Sequence, residues 1–372
     1  MMKPTQVHTS RFWKRFRKNK AALVASVCIM AMIFVAIFAY PLATDSTPDA
    51  NTMIIEIGTK APGYRCLLLK KINPIPAPTQ NSFTAFFMGR EQSIEWLPIQ
   101  SARFTQDSVF VQHIMDETVT EPLAFSLKQL AGHEKITGTP QSFFTESRTF
   151  WLGTDRYGRD VYSRLLIGTR VSLAVGFIAV ILSIFIGVLL GALSGYFGGW
   201  IDQCITWLIN VIWAIPTLLL VFAITFALGK GFWQIFIAVG LTMWVGTARL
   251  IRGQVMALKE LEFIQAAKTM GFSSWRIITR HILPNVMGPT IVMAASNFAT
   301  AILIEAGLSF LGIGVQPPAS SWGLMIKENY NFIITNRPLL AIIPGIAIMI
   351  IVLAFNILGN GLRDALDVKT KI

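Results

Sequence analysis

Charge is scarce in this 372-residue sequence: Asp, Glu, Lys and Arg make up 14% of it, against 53% hydrophobic residues. A single soluble core does not call for that much apolar material, so the composition points to a bilayer. Cysteine is nearly absent, with only Cys28, Cys66 and Cys204. Two of these lie in or beside apolar runs, so neither a disulfide framework nor a CxxC metal site is available. Histidine is just as thin. His8, His113, His133 and His281 stand singly, in segments assigned below to opposite sides of a membrane, and no acid pair or positioned nucleophile accompanies them. An enzyme would need such a group, and a metal site would need clustered ligands. No G-x-x-x-x-G-K-[ST] phosphate loop occurs, so the chain has no ATP site of the usual kind. Hardly any ionisable residue falls well inside an apolar run, which speaks against the titratable relay of a proton-coupled pump.

What the sequence does contain is long apolar runs. The first, residues 21–42, follows a basic N-terminus as the core of a signal peptide does. At ~1.5 Å per residue it is long enough to cross roughly 30 Å of hydrocarbon, and it reads as an uncleaved helix. Five further runs lie at about 171–196, 204–228, 232–251, 286–306 and 339–358, so six spans is the simplest count. Residues 1–42 thus form a basic tail and first span, and residues 151–372 a main membrane unit with five. Between them, residues 43–150 contain no run able to span. Alternation in 51–58 and in 104–111 predicts short strands there, and Pro74, Pro76 and Pro78 mark an extended connection. A soluble insert of mixed α/β or mostly β structure is expected.

The net charge of +12 would suggest nucleic acid in a soluble protein, so its distribution decides its meaning. Residues 1–20 hold seven basic groups (Lys3, Arg11, Lys14, Arg15, Arg17, Lys18 and Lys20) and no acid, which places the N-terminus in the cytoplasm. With six spans the C-terminus is cytoplasmic too, and so is the loop from 249 to 281. That loop carries Arg249, Arg252, Lys259, Lys268, Arg276 and Arg280 against only Glu260 and Glu262. The stretch from 42 to 168 has twelve basic and thirteen acidic residues, as suits a translocated, extracytoplasmic segment. The basic excess is therefore a topology signal, and no nucleic-acid-reading motif accompanies it.

Within the spans three features stand out. Gly187, Gly191 and Gly195 recur every four residues and offer one helical stripe to a close neighbour, unless they are merely scattered membrane glycines. Pro216 removes a backbone donor inside the third run, so a kink is expected there, whether tolerated by neighbours or lining a cavity. Glu305 is the main acidic residue near a span. It sits toward the outer end of the fifth run and either faces a path or hydrogen-bonds a nearby loop.

Between the fourth and fifth runs the sequence reads Gln265-Ala266-Ala267-Lys268-Thr269-Met270-Gly271, with Leu283-Pro284 twelve positions further on. This resembles the EAA loop of ABC importer permeases. Ahead of the second run stand Leu152-Gly153-Thr154-Asp155-Arg156-Tyr157-Gly158-Arg159-Asp160-Val161-Tyr162-Ser163-Arg164, which look like the signature preceding the permease core of C-type dipeptide and oligopeptide importers. The stretch from Gly307 to Pro318, Ser321-Trp322-Gly323, and the ending from Gly361 to Asp367 are similar to the same subfamily. The resemblance covers 11–42 and 150–369 and thins over the insert.

The resemblance implies an all-α membrane protein with six transmembrane helices in the type I ABC importer permease fold, located in the bacterial cytoplasmic membrane. It implies half of a pore for peptide import by alternating access. The other partners are a homologous B-type subunit, two ABC ATPases that bind ATP and Mg, and an extracytoplasmic substrate-binding protein, all within membrane lipids. This chain itself would hold no cofactor or metal and would not be an enzyme. Glu262, Gln265, Ala266, Ala267, Gly271, Leu283 and Pro284 would form the coupling contact with the ATPase. Gln265 stands where the family has Glu, which removes the charge of that contact. Asp155, Arg159, Asp160 and Glu305 would serve an outer gate or docking surface. The plainer reading of Asp155, Arg156, Arg159 and Asp160 is i,i+4 pairing on an interfacial surface helix, and that of Trp322 an interface anchor. A permease of the same architecture with another cargo (a nickel chelate, a peptide antibiotic or an oligosaccharide) fits the same motifs. An intramembrane enzyme or a receptor fits them poorly.

Overall fold

The computed structural model describes residues 5–116, 118–229, 231–335 and 337–366. Lys3 of the basic tail and Asp367 of the closing motif lie outside them. In chain order, α1 (Thr5–Lys18), α2 (Lys20–Ile37) and a short α3 (Ala39–Leu42) lead into a sheet region. This holds β1 (Tyr64–Ile72), α4 (Ser82–Met88), β2 (Ile94–Phe104), β3 (Ser108–Ile114), β4 (Thr120–Ser126), α5 (Leu127–Ala131), α6 (Pro140–Phe144) and β5 (Thr145–Phe150). Next come α7 (Val161–Phe197), α8 (Gly199–Trp213), α9 (Thr217–Leu228), α10 (Phe232–Lys259), α11 (Glu262–Thr269) and α12 (Ser274–Ile277). The last are α13 (Leu283–Leu311), α14 (Trp322–Asn329) and α15 (Leu339–Leu366). The chain divides into two compact units, one made of residues up to 34, 171–316 and from 345 on, the other of 35–170 and 317–344.

The first unit is helical. By length and composition, five described segments are able to cross a membrane: Lys20–Ile37, Val161–Phe197, Trp233–Lys259, Ser274–Leu311 and Leu339–Leu366. The run expected as one kinked span is instead two helices, α8 and α9, meeting at 96°; taken together they make a sixth. Pro216 accounts for the sharpness. It has no N–H to give, it disfavours helix at the residue before it, and it adopts ψ 128° at the start of α9. Side chains of α2 such as Val24, Val27, Met30 and Phe34 are exposed, as befits a helix whose surroundings are lipid.

The second unit contains an antiparallel sheet in the order β4-β3-β2-β1-β5. On one face Leu69, Ile99, Val109 and Val111 pack under Leu127, Leu130 and Phe144 of α5 and α6. On the other, Cys66, Leu68 and Phe150 are covered by Ile54 and Ile57. The strands expected at 51–58 and 104–111 require correction. Residues 55–57 form a single 3-10 turn, because Ile54 and Ile57, three apart, both point at the sheet. Residues 104–111 are the end of β2, a turn, and the start of β3. Thr105 closes that turn by accepting from and donating to Ser108, and hydropathy alternation does not register a reversal of this kind.

Candidate functional site

The segment that resembles an EAA loop begins with Leu261 as N-cap of α11, without a side-chain cap. Glu262 lies in the first turn, where its charge suits the positive helix end. Gln265 donates from Nε2 to the carbonyl of Lys259 at 2.9 Å, satisfying the end of α10. A glutamate there has no hydrogen to give at neutral pH. Ile264 and Ala267, three apart, are buried against Tyr196, Ile251, Val255, Ile277 and Ile282. Ala267 is thus turned into its own chain rather than toward a partner, a correction to the role read for it from sequence. Its neighbour Ala266 is exposed.

Helix α11 ends where Gly271 takes φ +75°, a conformation that disfavours any side chain. The N–H of Gly271 bonds Lys268 and that of Phe272 bonds Ala267. Ser273 then caps α12, a π turn follows at Ile278–Ile282, and α13 opens with Leu283 against the same buried cluster and an exposed Pro284. The face turned away from that cluster carries Leu261, Phe263, Met270 and Trp275, all exposed. Sequence reading missed these four. The signal that would have found them is their position off the face of Ile264 and Ala267, since an apolar residue on the wet side of a short helix asks for a partner.

The glycine stripe of α7 faces α10. A Cβ at Gly187 would stand 2.5 Å from Thr247 Cβ, at Gly191 2.5 Å from the carbonyl oxygen of Ala248, and at Gly195 2.7 Å from that of Arg252. These approaches are available to glycine alone. Beside them Asp202 accepts Arg252 through both carboxylate oxygens at 2.6 Å and also bonds Ser194, a pairing the sequence did not announce.

Residues 152–160 of the signature are not helical, only Val161–Arg164 join α7, and of the four charges expected on an interfacial helix Arg156 is exposed while the others are not, which corrects that expectation. Asp155, Arg159, Asp160 and Arg164 are all buried. The expected i,i+4 pair of Asp155 and Arg159 does form, at 2.6 Å, but it closes a turn rather than lying along a helix. Arg159 also donates to Glu328 at 2.6 Å and Arg164 to the same oxygen at 3.1 Å. Asp160 accepts from Ser163 and Thr44. The backbone of residues 154–157 bonds that of 54–60, with Thr59 N–H reaching Asp155 and Ile54 N–H reaching Tyr157. A Cβ at Gly158 would stand 1.7 Å from the carbonyl oxygen of Ile54. These charges serve as an internal clasp on the loop after the first span. Burial holds the Asp49 carboxyl in that loop above its ordinary value. Trp322 is not an interface anchor either. It is fully buried, and its indole N–H donates to Leu165 at 3.1 Å.

Glu305 is buried in α13 and accepts from Ser309 at 2.8 Å and Ser172 at 3.3 Å. Ser309 in turn accepts the N–H of Val315 at 3.0 Å. Of the two readings of Glu305, this geometry favours the one in which it fixes the loop after α13.

Long apolar helices, one of them broken at a proline, define a membrane protein of several spans. The family described as binding-protein-dependent transport system inner membrane component matches residues 187–372, and the N-terminal TM domain of oligopeptide transport permease C matches residues 9–62. The chain belongs to this family, as a permease subunit of an ABC-type importer. It is 43% identical over 225 residues to the glutathione transport system permease protein GsiD of Pectobacterium atrosepticum, covering 60% of this chain and 74% of that one. With the dipeptide transport system permease protein DppC of Alkalihalophilus pseudofirmus the identity is 44% over 225 residues, again 60% and 74%. An inward-facing structure of the MetNI methionine ABC transporter aligns with TM-score 0.42 at 18% identity, over 54% of this chain and 96% of that one.

Proposed function

We propose that the chain forms half of a peptide-import path, with its N- and C-termini in the cytoplasm and residues 43–150 outside as a translocated insert. A homologous B-type permease supplies the other half. Two ABC ATPases hold ATP and Mg, an extracytoplasmic binding protein delivers the cargo, and this chain carries no cofactor of its own. Six spans result if α8 and α9 cross as one. The observation that carries this reading is the short helix α11, seated on its own chain through Ile264 and Ala267 while Phe263 and Met270 stay exposed on a basic loop. On this reading the outer face of α11, with Glu262, Ala266 and the turn at Gly271, meets the ATPase, and closure of the ATPases moves the spans between access states.

Relatives named for dipeptide and glutathione transport favour a short peptide as cargo. The test is uptake into proteoliposomes holding this chain, its partner permease and the ATPases, with the binding protein outside. ATP-dependent accumulation of a labelled tripeptide or of glutathione supports the reading. Accumulation of a nickel chelate or an oligosaccharide instead would replace the cargo and leave the architecture.

A further inference from the structure

A cavity of about 200 Å³ lies where α8 and α9 break, walled on the far side by α10 and α13. Non-helical backbone inside a membrane is tolerated only where protein buries it or where it lines a cavity. The polar lining comes from Thr217, Thr242, Asn297 and Thr300, with Met243 and Met293 on the apolar walls, and no charged residue or histidine takes part among the described residues. At roughly 30 Å³ per water the space is several waters large.

The hydrogen bonds of these groups fix what they offer. Asn297 is 6% exposed. Its Nδ2 donates to Ser183 of α7 at 2.9 Å and to Thr247 of α10 at 3.2 Å, so both amide hydrogens are engaged. Among the described residues its carbonyl oxygen has no hydrogen-bond partner, and it is the part of the amide left to face the cavity. Thr242 spends its hydroxyl hydrogen on the carbonyl of Val239 at 2.8 Å, and Thr300 on that of Ser296 at 3.0 Å. Toward the cavity these two threonines present lone pairs. Thr217, exposed at the start of α9, has among the described residues no partner fixing its hydroxyl, which can turn either way.

We propose that this cavity is a subsite of the transport path that takes N–H donors of the cargo, peptide amide or ammonium groups, and disfavours carboxylates. The proposal rests on the peptide-import reading and adds the residues and the polarity of the recognition. An oriented, uncharged acceptor rewards a donor, because its own partners leave it unsatisfied in an apolar surround. Without a formal charge the site holds the donor weakly enough to release it, as a path requires. The flexible Met243 and Met293 walls tolerate varied side chains beside the recognised N–H.

The test uses the assembled transporter with Cys28→Ser and Cys204→Ser and a cysteine introduced by Met293→Cys. Modification at position 293 by 2-aminoethyl and by 2-(trimethylammonio)ethyl methanethiosulfonate is followed by mass spectrometry. The reagents share a charge, but only the first has N–H groups. Their rate ratio, divided by the ratio for free cysteine, is expected to favour the aminoethyl reagent by about tenfold, the worth of a hydrogen bond to an otherwise unpaired acceptor. Asn297→Leu is expected to bring the ratio within twofold of free cysteine. Because that variant also strips Ser183 and Thr247 of a partner, Thr300→Val on the cavity wall gives a second reading and is expected to lower the ratio without loss of assembly. A parent ratio equal to that of free cysteine, or a ratio unmoved by both variants, overturns the proposal. Tripeptide uptake is measured alongside. A ratio that behaves as expected in a transporter that carries no peptide supports the donor-selective cavity and overturns the cargo reading instead.

Discussion

Arg159 and Glu328, 169 residues apart in sequence, meet through Nη2 and Oε2 at 2.6 Å with both side chains buried. Arg164 shares the same carboxylate oxygen, and its buried Nη1 has no hydrogen-bond partner among the described residues. Glu328 therefore offsets two guanidinium groups, with Asp155 completing the balance. Removing one partner of a buried pair leaves an uncompensated charge out of water and costs about 3–5 kcal/mol. Glu328→Leu is expected to lower the thermal stability of the purified permease sharply. Glu134→Leu, which breaks the exposed pair with Lys70, is expected to change it by less than about 1 kcal/mol. Thermal denaturation of the two variants side by side distinguishes them.

The close approach of α7 and α10 has a graded consequence. Gly191→Ala places a methyl 2.5 Å from a backbone oxygen, where no side-chain rotation relieves it, and a loss of about 1–3 kcal/mol is expected. Gly253→Ala on α10 meets nothing within 4 Å and is expected to stabilise by roughly 0.5–1 kcal/mol through helix propensity. Opposite signs in one stability assay would bear this out. Equal effects would mean that the stripe is not a contact.

Cys66 lies in β1, buried, with its thiol held above the ordinary value chiefly by that burial. Thiolate is the reacting form, so at neutral pH the group is both shielded and protonated. In a protein with Cys28→Ser and Cys204→Ser, maleimide labelling is expected to be slow in the native state and rapid after denaturation. Raising the pH is expected to speed native labelling only beyond the usual thiol range. Fast native labelling near neutral pH would contradict the burial of this strand.

Gln265→Glu restores the residue that the family has at this position and removes the donor to Lys259. A loss of about 1 kcal/mol in the local stability of α11 is expected, seen as faster amide hydrogen exchange across 262–271 with exchange in β1 and β2 unchanged. Unchanged exchange in α11 would mean that the amide plays no part in seating it.

The sequence made the apolar helices legible because membrane spans impose a long, one-sided composition that no other constraint imitates. The stripe at Gly187, Gly191 and Gly195 was legible for a similar reason, since a period of four residues is itself a statement about one helical face. Four features were not. Proline at 216 announced a disturbance, but whether a helix kinks or breaks depends on neighbours that a single sequence does not display. Arg159 and Asp160 were read as surface charges because their partners Glu328 and Thr44 lie far away along the chain. Ala267 was assigned outward with Ala266, although neighbouring residues on a helix point about 100° apart. The turn at Thr105 escaped because the strands on both sides of it continue the same alternation.

The most direct test of the central claim is co-purification and uptake with Phe263→Asp and Met270→Asp introduced together, on the exposed face of α11 and away from the buried Ile264 and Ala267. If this face is the coupling contact, the two permease subunits remain assembled while the ATPases no longer co-purify and ATP-driven peptide uptake falls at least tenfold. Normal ATPase retention with normal uptake would contradict the assignment and would mean that the coupling contact lies elsewhere on the chain.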